Sequence, residues 1–508
     1  MKAFLMYPNR DFDLERDLPP NEADLSSDLE LGVLLRAMAS EDQFLFGVAR
    51  QGIHSFLASP AEIVYRQHVL ADCIGQPGVV RDLYDVAVAA ITGEKKILGW
   101  VLFRNSPQTI LHRSRQLLQI YVDMFRQLRS IADAHAASFR SEGFTRFFAM
   151  LATELNDEYL AEIEAQIGEL AFRRGTLISA RLGPGMKGAG YILRRHPEQS
   201  WRDRIPGRNR SGFSFTVPER DDSGLRTLSD LTSRGLNRTS NALGQSADHV
   251  KAFFEMLRAE LGFYLGCLNL RDRLEAKGEP VCFPLPASLA TASAQRATLS
   301  ARGLYDASLA LSLDARTVGN DVAADGQRLV MITGANQGGK STFLRSVGLA
   351  QLMMQAGMFV AAESFAASVS TGVFTHFKRE EDATMEMGKL DEELDRMSAI
   401  AGQIRADGLL LCNESFASTN EREGSEIARQ IIRALTEAGI RVIFVTHLYD
   451  LAERLYAEHD PAMLFLRAER QSDGHRTFRV LEGEPLPTSY GQDLYQSVFQ
   501  TADQAARV

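Results

Sequence analysis

The chain has 508 residues, 45% of them hydrophobic and 24% charged, with a formal net charge of −9. That balance excludes a disordered or fibrous chain and bounds a multidomain protein with a large buried core. No apolar run approaches the about 20 residues of a spanning helix, so no membrane segment is expected.

The N-terminal stretch MKAFLMYPNRDFDLERD has neither a long apolar region nor a small-residue cleavage site, so it is not read as a signal peptide. Cys73, Cys267, Cys282 and Cys412 lie far apart, without metal-ligand or redox spacing. Buried, reduced thiols in a cytosolic protein are expected. Residues 28–100 read as helices with short breaks. In SPAEIVYRQHVLADCIG, Ser59 and Pro60 mark a helix start and Glu62 falls in its first turn. Over 107–175 two long helical patterns follow. Ile110, Leu117, Tyr121, Met124, Leu128 and Ile131 form one stripe. Phe148, Leu151, Leu155, Tyr159, Ile163, Ile167 and Leu170 form the other. Such seams suit an antiparallel helical arm, and equally the packed helices of a compact α-domain.

The pattern then changes. TLISARLGPGMKGAGYILRR reads as two β runs around a Gly/Pro turn, and GFSFTV as a third. Between residues 171 and 245, fourteen basic residues stand against six acidic ones, a local +8 that leaves −17 for the remainder. Nearly all of this charge is arginine, whose planar fork suits phosphate, although a solvated loop is an equally open reading. Helical periodicity returns at 247–275 with Val250, Phe254, Leu257, Leu261, Tyr264 and Leu268. The Pro-rich KGEPVCFPLPAS reads as a linker. From about residue 300, the β runs RLVMIT, GLLLCN and RVIFVTH alternate with helices, which argues for a mainly parallel sheet covered by helices.

The chemistry-bearing residues cluster in this last part. GANQGGKS, Gly334 to Ser341, matches G-x-x-x-x-G-K-[ST] between a strand and a helix. Glycines let successive backbone N–H groups turn inward around a phosphate, and the helix N-terminus adds unpaired donors. Lys340 can reach the β- and γ-phosphates, and the Ser341 hydroxyl can ligate Mg²⁺. Gly334, Ala335, Asn336, Gln337, Gly338, Gly339, Lys340, Ser341 and Thr342, with Asn320 upstream, form the expected ATP-binding set. DGLLLCNESF ends a strand in Asn413 and Glu414. A strand-end acid beside such a loop orients Mg²⁺ and activates water, so Glu414 is the candidate base, and Ser341, Asn413 and Glu414 are the candidate metal set. Asn413 stands where such sites usually have Asp. The alternative is an ordinary solvent-facing strand end. RVIFVTH ends in Thr446 and His447. His447 is the third candidate catalytic residue beside Glu414 and Lys340, against the plainer reading of a structural histidine.

Together these residues resemble the MutS family of DNA mismatch-repair ATPases. TGANQGGKSTFLRSVGLAQLMMQAGMFVAAE looks like that family's P-loop, following helix and a strand ending in Glu363. NESFASTNEREGSEIA is similar to its acidic pair and the loop after it, with Ser418, Thr419 and Gly424. VTHLYDL resembles its histidine switch and TSYGQDL its closing S-Y-G. LASPAEIVYRQHVL resembles, more weakly, the opening of its helical core. The resemblance implies a multidomain fold. An all-α helical core (1–106) and a long-helix lever (107–276) would carry a small β-containing, clamp-like insertion at about 176–245. A linker (277–299) would lead to an α/β P-loop NTPase domain of the ABC type (300–508). It implies a slow, cytoplasmic, homodimeric ATPase that uses Mg²⁺ and grips the DNA backbone through Arg194, Arg195, Arg202, Arg204, Arg208 and Arg210. It also implies departures. The N-terminal mismatch-reading module and its Phe-x-Glu wedge are expected to be missing, since Phe253-Phe254-Glu255 falls on a helical stripe. Gly388 stands where the family's signature loop has serine, with Glu393 as the following acid and Thr384 as a substitute donor. The C-terminal helix-turn-helix clasp is expected to be absent. An ATP-switched scaffold for a protein partner, and a transporter-type ATPase subunit, are the alternatives.

Overall fold

The computed structural model describes residues 1–98, 106–196, 213–288, 297–379, 388–471 and 476–486. It divides into two compact units. The first comprises Met1–Ala3, Gly78–Phe139 and Phe144–Leu261, and the second Phe4–Pro77, Arg140–Gly143 and Gly262–Val508. Among the described residues no helix is long and apolar enough to cross a membrane.

The chain opens with α1 (Glu22–Asp28), α2 (Leu31–Ala39), α3 (Gln43–Ile53) and α4 (Pro60–Gly75). Local chemistry sets their starts. The Asp42 carboxylate accepts the N–H groups of Phe44 (2.7 Å) and Leu45 (3.2 Å), capping α3. Pro60 occupies the first position of α4, where its missing N–H costs nothing. Arg66 on α4 is fully buried. Its guanidinium donates to the carbonyls of Met6 (3.1 Å) and Ala356 (2.9 Å) and to the Ser55 hydroxyl (3.0 Å), and it lies 4.7 Å from the Tyr7 ring.

The first unit holds α5 (Pro77–Leu98), α6 (Pro107–His135), α7 (Glu142–Glu154) and α8 (Asp157–Glu169). It continues through the antiparallel pair β1 (Leu177–Leu182) and β2 (Gly188–Arg194) and most of α9 (Asp222–Ala276). Its core is aromatic. Phe125 on α6 stacks on Phe254 of α9 at 5.1 Å, and Tyr121 lies 5.6 Å from the same ring. Phe254 is fully buried, so the Phe-Phe-Glu triplet lies in a helical core. The second long stripe is two helices rather than one. Asn156 accepts the Tyr159 N–H at 2.8 Å and so caps a new helix in mid-pattern. The described residues of GFSFTV, 213–217, form no strand, and Phe213 and Phe215 are exposed. A strand requires a ladder partner, and no described strand pairs with it. Helix α9 begins well before the apolar stripe that announces it; its first turns, with Leu225, Leu228 and Leu231, are exposed.

The second unit adds β3 (Leu285–Ala287), β4 (Leu299–Leu304), α10 (Ala307–Ser312), β5 (Asn320–Ala323), β6 (Leu329–Thr333) and α11 (Lys340–Gln355). There follow β7 (Ser364–Ser368), β8 (Val373–Phe377), α12 (Lys389–Gln403), β9 (Leu409–Asn413), α13 (Glu421–Glu437), β10 (Arg441–Val445), α14 (Tyr449–Tyr456), β11 (Met463–Arg470) and β12 (Arg476–Glu482). The larger sheet runs β12-β11-β6-β10-β9-β8 and is parallel except for β12. Both its faces are covered, which is why β6, β9 and β10 are unbroken apolar runs. Leu329, Met331, Leu410 and Phe444 pack with Met397, Ile432 and Leu451 of α12, α13 and α14. Almost every side chain of α11 is buried. A second sheet, β3-β7-β4-β5, was not expected from the sequence. Glu363 ends no strand. Met358 to Ala362 are buried and form no strand; Val360 makes an isolated bridge to Cys282, the Ala361 carbonyl accepts the Tyr305 N–H, and Glu363 immediately precedes β7. All four cysteines are free. Cys73, Cys267 and Cys412 are buried, and Cys282 is half-buried.

Candidate nucleotide site

The loop Gly334–Gly339 joins β6 to α11 at the carboxyl end of the parallel sheet, where ligands of open α/β sheets bind. Its backbone enters the left-handed region at Gly334 (φ +110°), Gln337 (φ +59°) and Gly339 (φ +90°). Gly339 needs that freedom, since a Cβ there would also stand 3.1 Å from the Phe478 carbonyl. Lys340 turns back into the loop, and its Nζ donates to the carbonyls of Gly334 (3.0 Å) and Ala335 (2.9 Å). Burial pulls its ammonium down to about 8, with Glu414 opposing the shift.

Two neighbouring strand ends complete the arrangement. The Ser341 hydroxyl donates to Asn413 Oδ1 at 2.8 Å. His447 Nε2 lies 2.9 Å from Glu414 Oε1, and this hydrogen bond holds the Glu414 carboxyl below its usual range against the opposing effect of burial. The Glu414 N–H donates to the Val445 carbonyl at 2.9 Å, fixing the end of β9 to that of β10. Glu414 (φ +56°) and Phe416 (φ +63°) are both left-handed without being glycine. Such residues cost of the order of 1–3 kcal/mol each and persist where surrounding bonds hold them.

A cavity of about 400 Å³ opens in front of this group. Asn336, Gln337, Gly338, Gly339, Lys340, Ser341, Thr342, Asn320, Glu414 and His447 line it, while Gly334, Ala335 and Asn413 do not. Asn320 is a brace: its amide donates to the Phe478 carbonyl (3.3 Å) and accepts the Val480 N–H (2.7 Å). The apolar wall, with Leu313, Val318 and Phe478 and with Arg316 beside them, was missed. LDARTVGN has no periodicity, so nothing in it marks a wall.

The oxygen donors fit a hard divalent cation. Ser341 Oγ, the Asn413 amide oxygen and the Glu414 carboxylate stand at adjoining element ends. Among the described residues no group of three or more His, Cys, Asp or Glu is placed to hold a metal ion. The arginine candidates are only partly visible. Arg194 Nε donates to the Ser179 hydroxyl at 2.9 Å, and Arg195 pairs with Glu169. Arg202, Arg204, Arg208 and Arg210 lie outside the described residues, as do Thr384 and the TSYGQDL segment.

Residues 58–277 match the family model of the MutS2 N-terminal domain, and residues 330–503 that of MutS domain V. The chain is a member of the MutS family. Over 137 residues it is 36% identical to the DNA mismatch repair protein MutS of Thermotoga petrophila, a match covering 27% of this chain and 17% of that protein. It is 31% identical over 255 residues to Endonuclease MutS2 of Lacticaseibacillus casei, covering 50% and 30%. A third MutS-family relative, Endonuclease MutS2 of Thermomicrobium roseum, is 33% identical over 168 residues, covering 31% and 20%. The matched stretches span less than a third of these relatives' own length.

Proposed function

We propose that this chain is an ATP-dependent DNA-binding protein of the MutS type, acting in mismatch repair or a related repair or recombination process. One observation carries the reading: the Ser341–Asn413 and His447–Glu414 pairs meet the glycine loop at the carboxyl ends of three adjacent parallel strands. The loop N–H groups and Lys340 hold the triphosphate and neutralise charge that develops on it. Lys340 is protonated below about pH 8, so it is a cation where the nucleotide binds. Ser341, with Asn413 and Glu414, would hold Mg²⁺, which would add to the neutralisation of the phosphates. Glu414, ionised and braced by His447, orients the attacking water. In a loose transition state the proton leaves late, so a lowered carboxyl suits orientation better than strong base catalysis.

The neutral amide of Asn413 makes turnover slow. Two copies sandwich ATP through the α/β domain, and nucleotide state controls helical arms that hold DNA. Arg194 and Arg195, with Arg202, Arg204, Arg208 and Arg210, contact the DNA backbone, giving affinity with little sequence preference and a steep salt dependence. The test has two arms. ATP hydrolysis is measured with and without duplex for the wild type and Glu414→Gln, and an unchanged rate in the variant removes Glu414 from its role. Labelled duplex is titrated at several salt concentrations, and absence of binding even at low salt favours an ATP-switched scaffold for a protein partner.

A further inference from the structure

Behind the Glu414 turn lies a buried polar cluster that the mechanism above does not use. Glu393 of α12 is 2% exposed and does not line the nucleotide cavity. Its Oε2 accepts the Phe416 N–H at 2.7 Å and its Oε1 the Ser418 hydroxyl at 2.7 Å. Its carbonyl oxygen lies 3.0 Å from Nε2 of His376 on β8, and His376 Nδ1 lies 2.7 Å from the Ser415 hydroxyl. Burial, with Arg396 adding to it, pulls His376 down to about 4, so the ring is neutral and carries one N–H. The Ser415 hydroxyl also donates to the His376 carbonyl at 2.8 Å, a second tie between that turn and β8. The His376 ring also stacks on Phe416 at 5.5 Å. Ser415, Phe416 and Ser418, the residues directly after Glu414, are therefore each tied to α12 or β8. The adjacent acid, Glu392, turns the other way, to Arg396 and Arg379.

We propose that Glu393 is a positioning residue for Glu414: from α12 it clamps the left-handed turn that aims the Glu414 carboxylate, and it couples the placement of α12 to hydrolysis. This rests on the reading of Glu414 as the hydrolytic residue. Glu393 touches neither nucleotide nor water. Its loss frees the turn to relax from its strained backbone and swings the carboxylate off its line, while the glycine loop is left intact. Displacements near 1 Å in such positions cost about a hundredfold in rate.

The experiment measures kcat and KM for MgATP hydrolysis, together with the Kd of a fluorescent ATP analogue, in the full chain. The variants are Glu393→Ala, Glu393→Gln, Glu414→Gln and Glu393→Ala combined with Glu414→Gln. Expected are a fall in kcat of about 10- to 100-fold for Glu393→Ala with Kd within about twofold, and partial rescue in Glu393→Gln, which keeps an acceptor for the Phe416 N–H. The double variant should be no slower than Glu414→Gln alone, because the two residues act as one unit. If Glu414→Gln is impaired but Glu393→Ala is not, or if the two losses multiply, this proposal is overturned. If Glu414→Gln hydrolyses at the wild-type rate, the reading of Glu414 fails instead. Should Glu393→Ala not fold, Ser418→Ala removes one clamp bond from the opposite side. It must then lower kcat without weakening analogue binding and without adding to Glu414→Gln, and a wild-type kcat in this variant overturns the proposal.

Discussion

Replacing Gly338 with alanine tests how tightly the nucleotide loop is seated. A Cβ at this position would stand 2.7 Å from Ala468 Cβ on β11 and 2.9 Å from the Ala335 carbonyl oxygen. Neither neighbour can yield cheaply. Ala468 is buried within a ladder strand, and the Ala335 carbonyl also receives the Lys340 ammonium at 2.9 Å. Relief comes by lifting the loop away from β11, which spoils the ring of inward N–H groups. Overpacking of this kind costs about 1–3 kcal/mol, and expressed in binding that is roughly a 5- to 150-fold loss in MgATP affinity. Calorimetric titration of Gly338→Ala with MgATP reads it directly. Gly402→Ala is the control: a Cβ there meets nothing within 4 Å and the site is helical, so affinity should be unchanged. Wild-type affinity in Gly338→Ala would refute the claim that the loop binds phosphate in the conformation described.

Three further outcomes follow from the same geometry. Asn413→Asp places a full carboxylate against the Ser341 hydroxyl and should raise apparent Mg²⁺ affinity by about tenfold, read by titrating hydrolysis with Mg²⁺; no change would show that residue 413 does not face the ion. Phe254→Ala opens the aromatic core between α6 and α9 and should cost about 3–5 kcal/mol of stability, measured by denaturant unfolding, whereas a loss below about 1 kcal/mol would mean that the ring is not a packing residue. Because His376 falls from 6.5 to about 4, the unfolded chain takes up the proton first as pH drops. Stability should therefore be lost between pH 6.5 and about 4, by up to roughly 3 kcal/mol. Thermal unfolding across that window should show a shallower acid loss for His376→Gln, and an identical slope would contradict the buried, neutral ring.

What the sequence made legible was whatever a local pattern encodes. RLVMIT, GLLLCN and RVIFVTH are strands because apolar runs of that length fit a sheet covered on both faces, and each carries its polar terminus to the same edge. The glycine spacing before Lys340 and the Gly/Pro turn between β1 and β2 were equally local signals. The failures were matters of tertiary context. GFSFTV alternates like a strand but has no described partner, and Asn156 interrupts a seam that periodicity alone would carry through. β3, β4, β5 and β7 lack the unbroken apolar runs of β6, β9 and β10, so their sheet is defined by its neighbours rather than by its own composition. Spacing aligns Glu393 as the acid after the signature-loop position but gives its side chain no direction; the packed helix shows that it turns inward to Phe416 and Ser418. Likewise, Phe4–Pro77 share a compact unit with Gly262 onward, a fact of chain return that no window of residues contains.

Arg66 has a consequence for how the chain is made. Its bond to the Ala356 carbonyl spans 290 residues. At about 5–20 residues per second on the ribosome, roughly 15 to 60 seconds pass between the emergence of the two partners. Throughout that interval the buried guanidinium has Met6, Tyr7 and Ser55 as native partners but lacks the Ala356 carbonyl. The Arg66 site is thus completed only after the segment carrying Ala356 has been made.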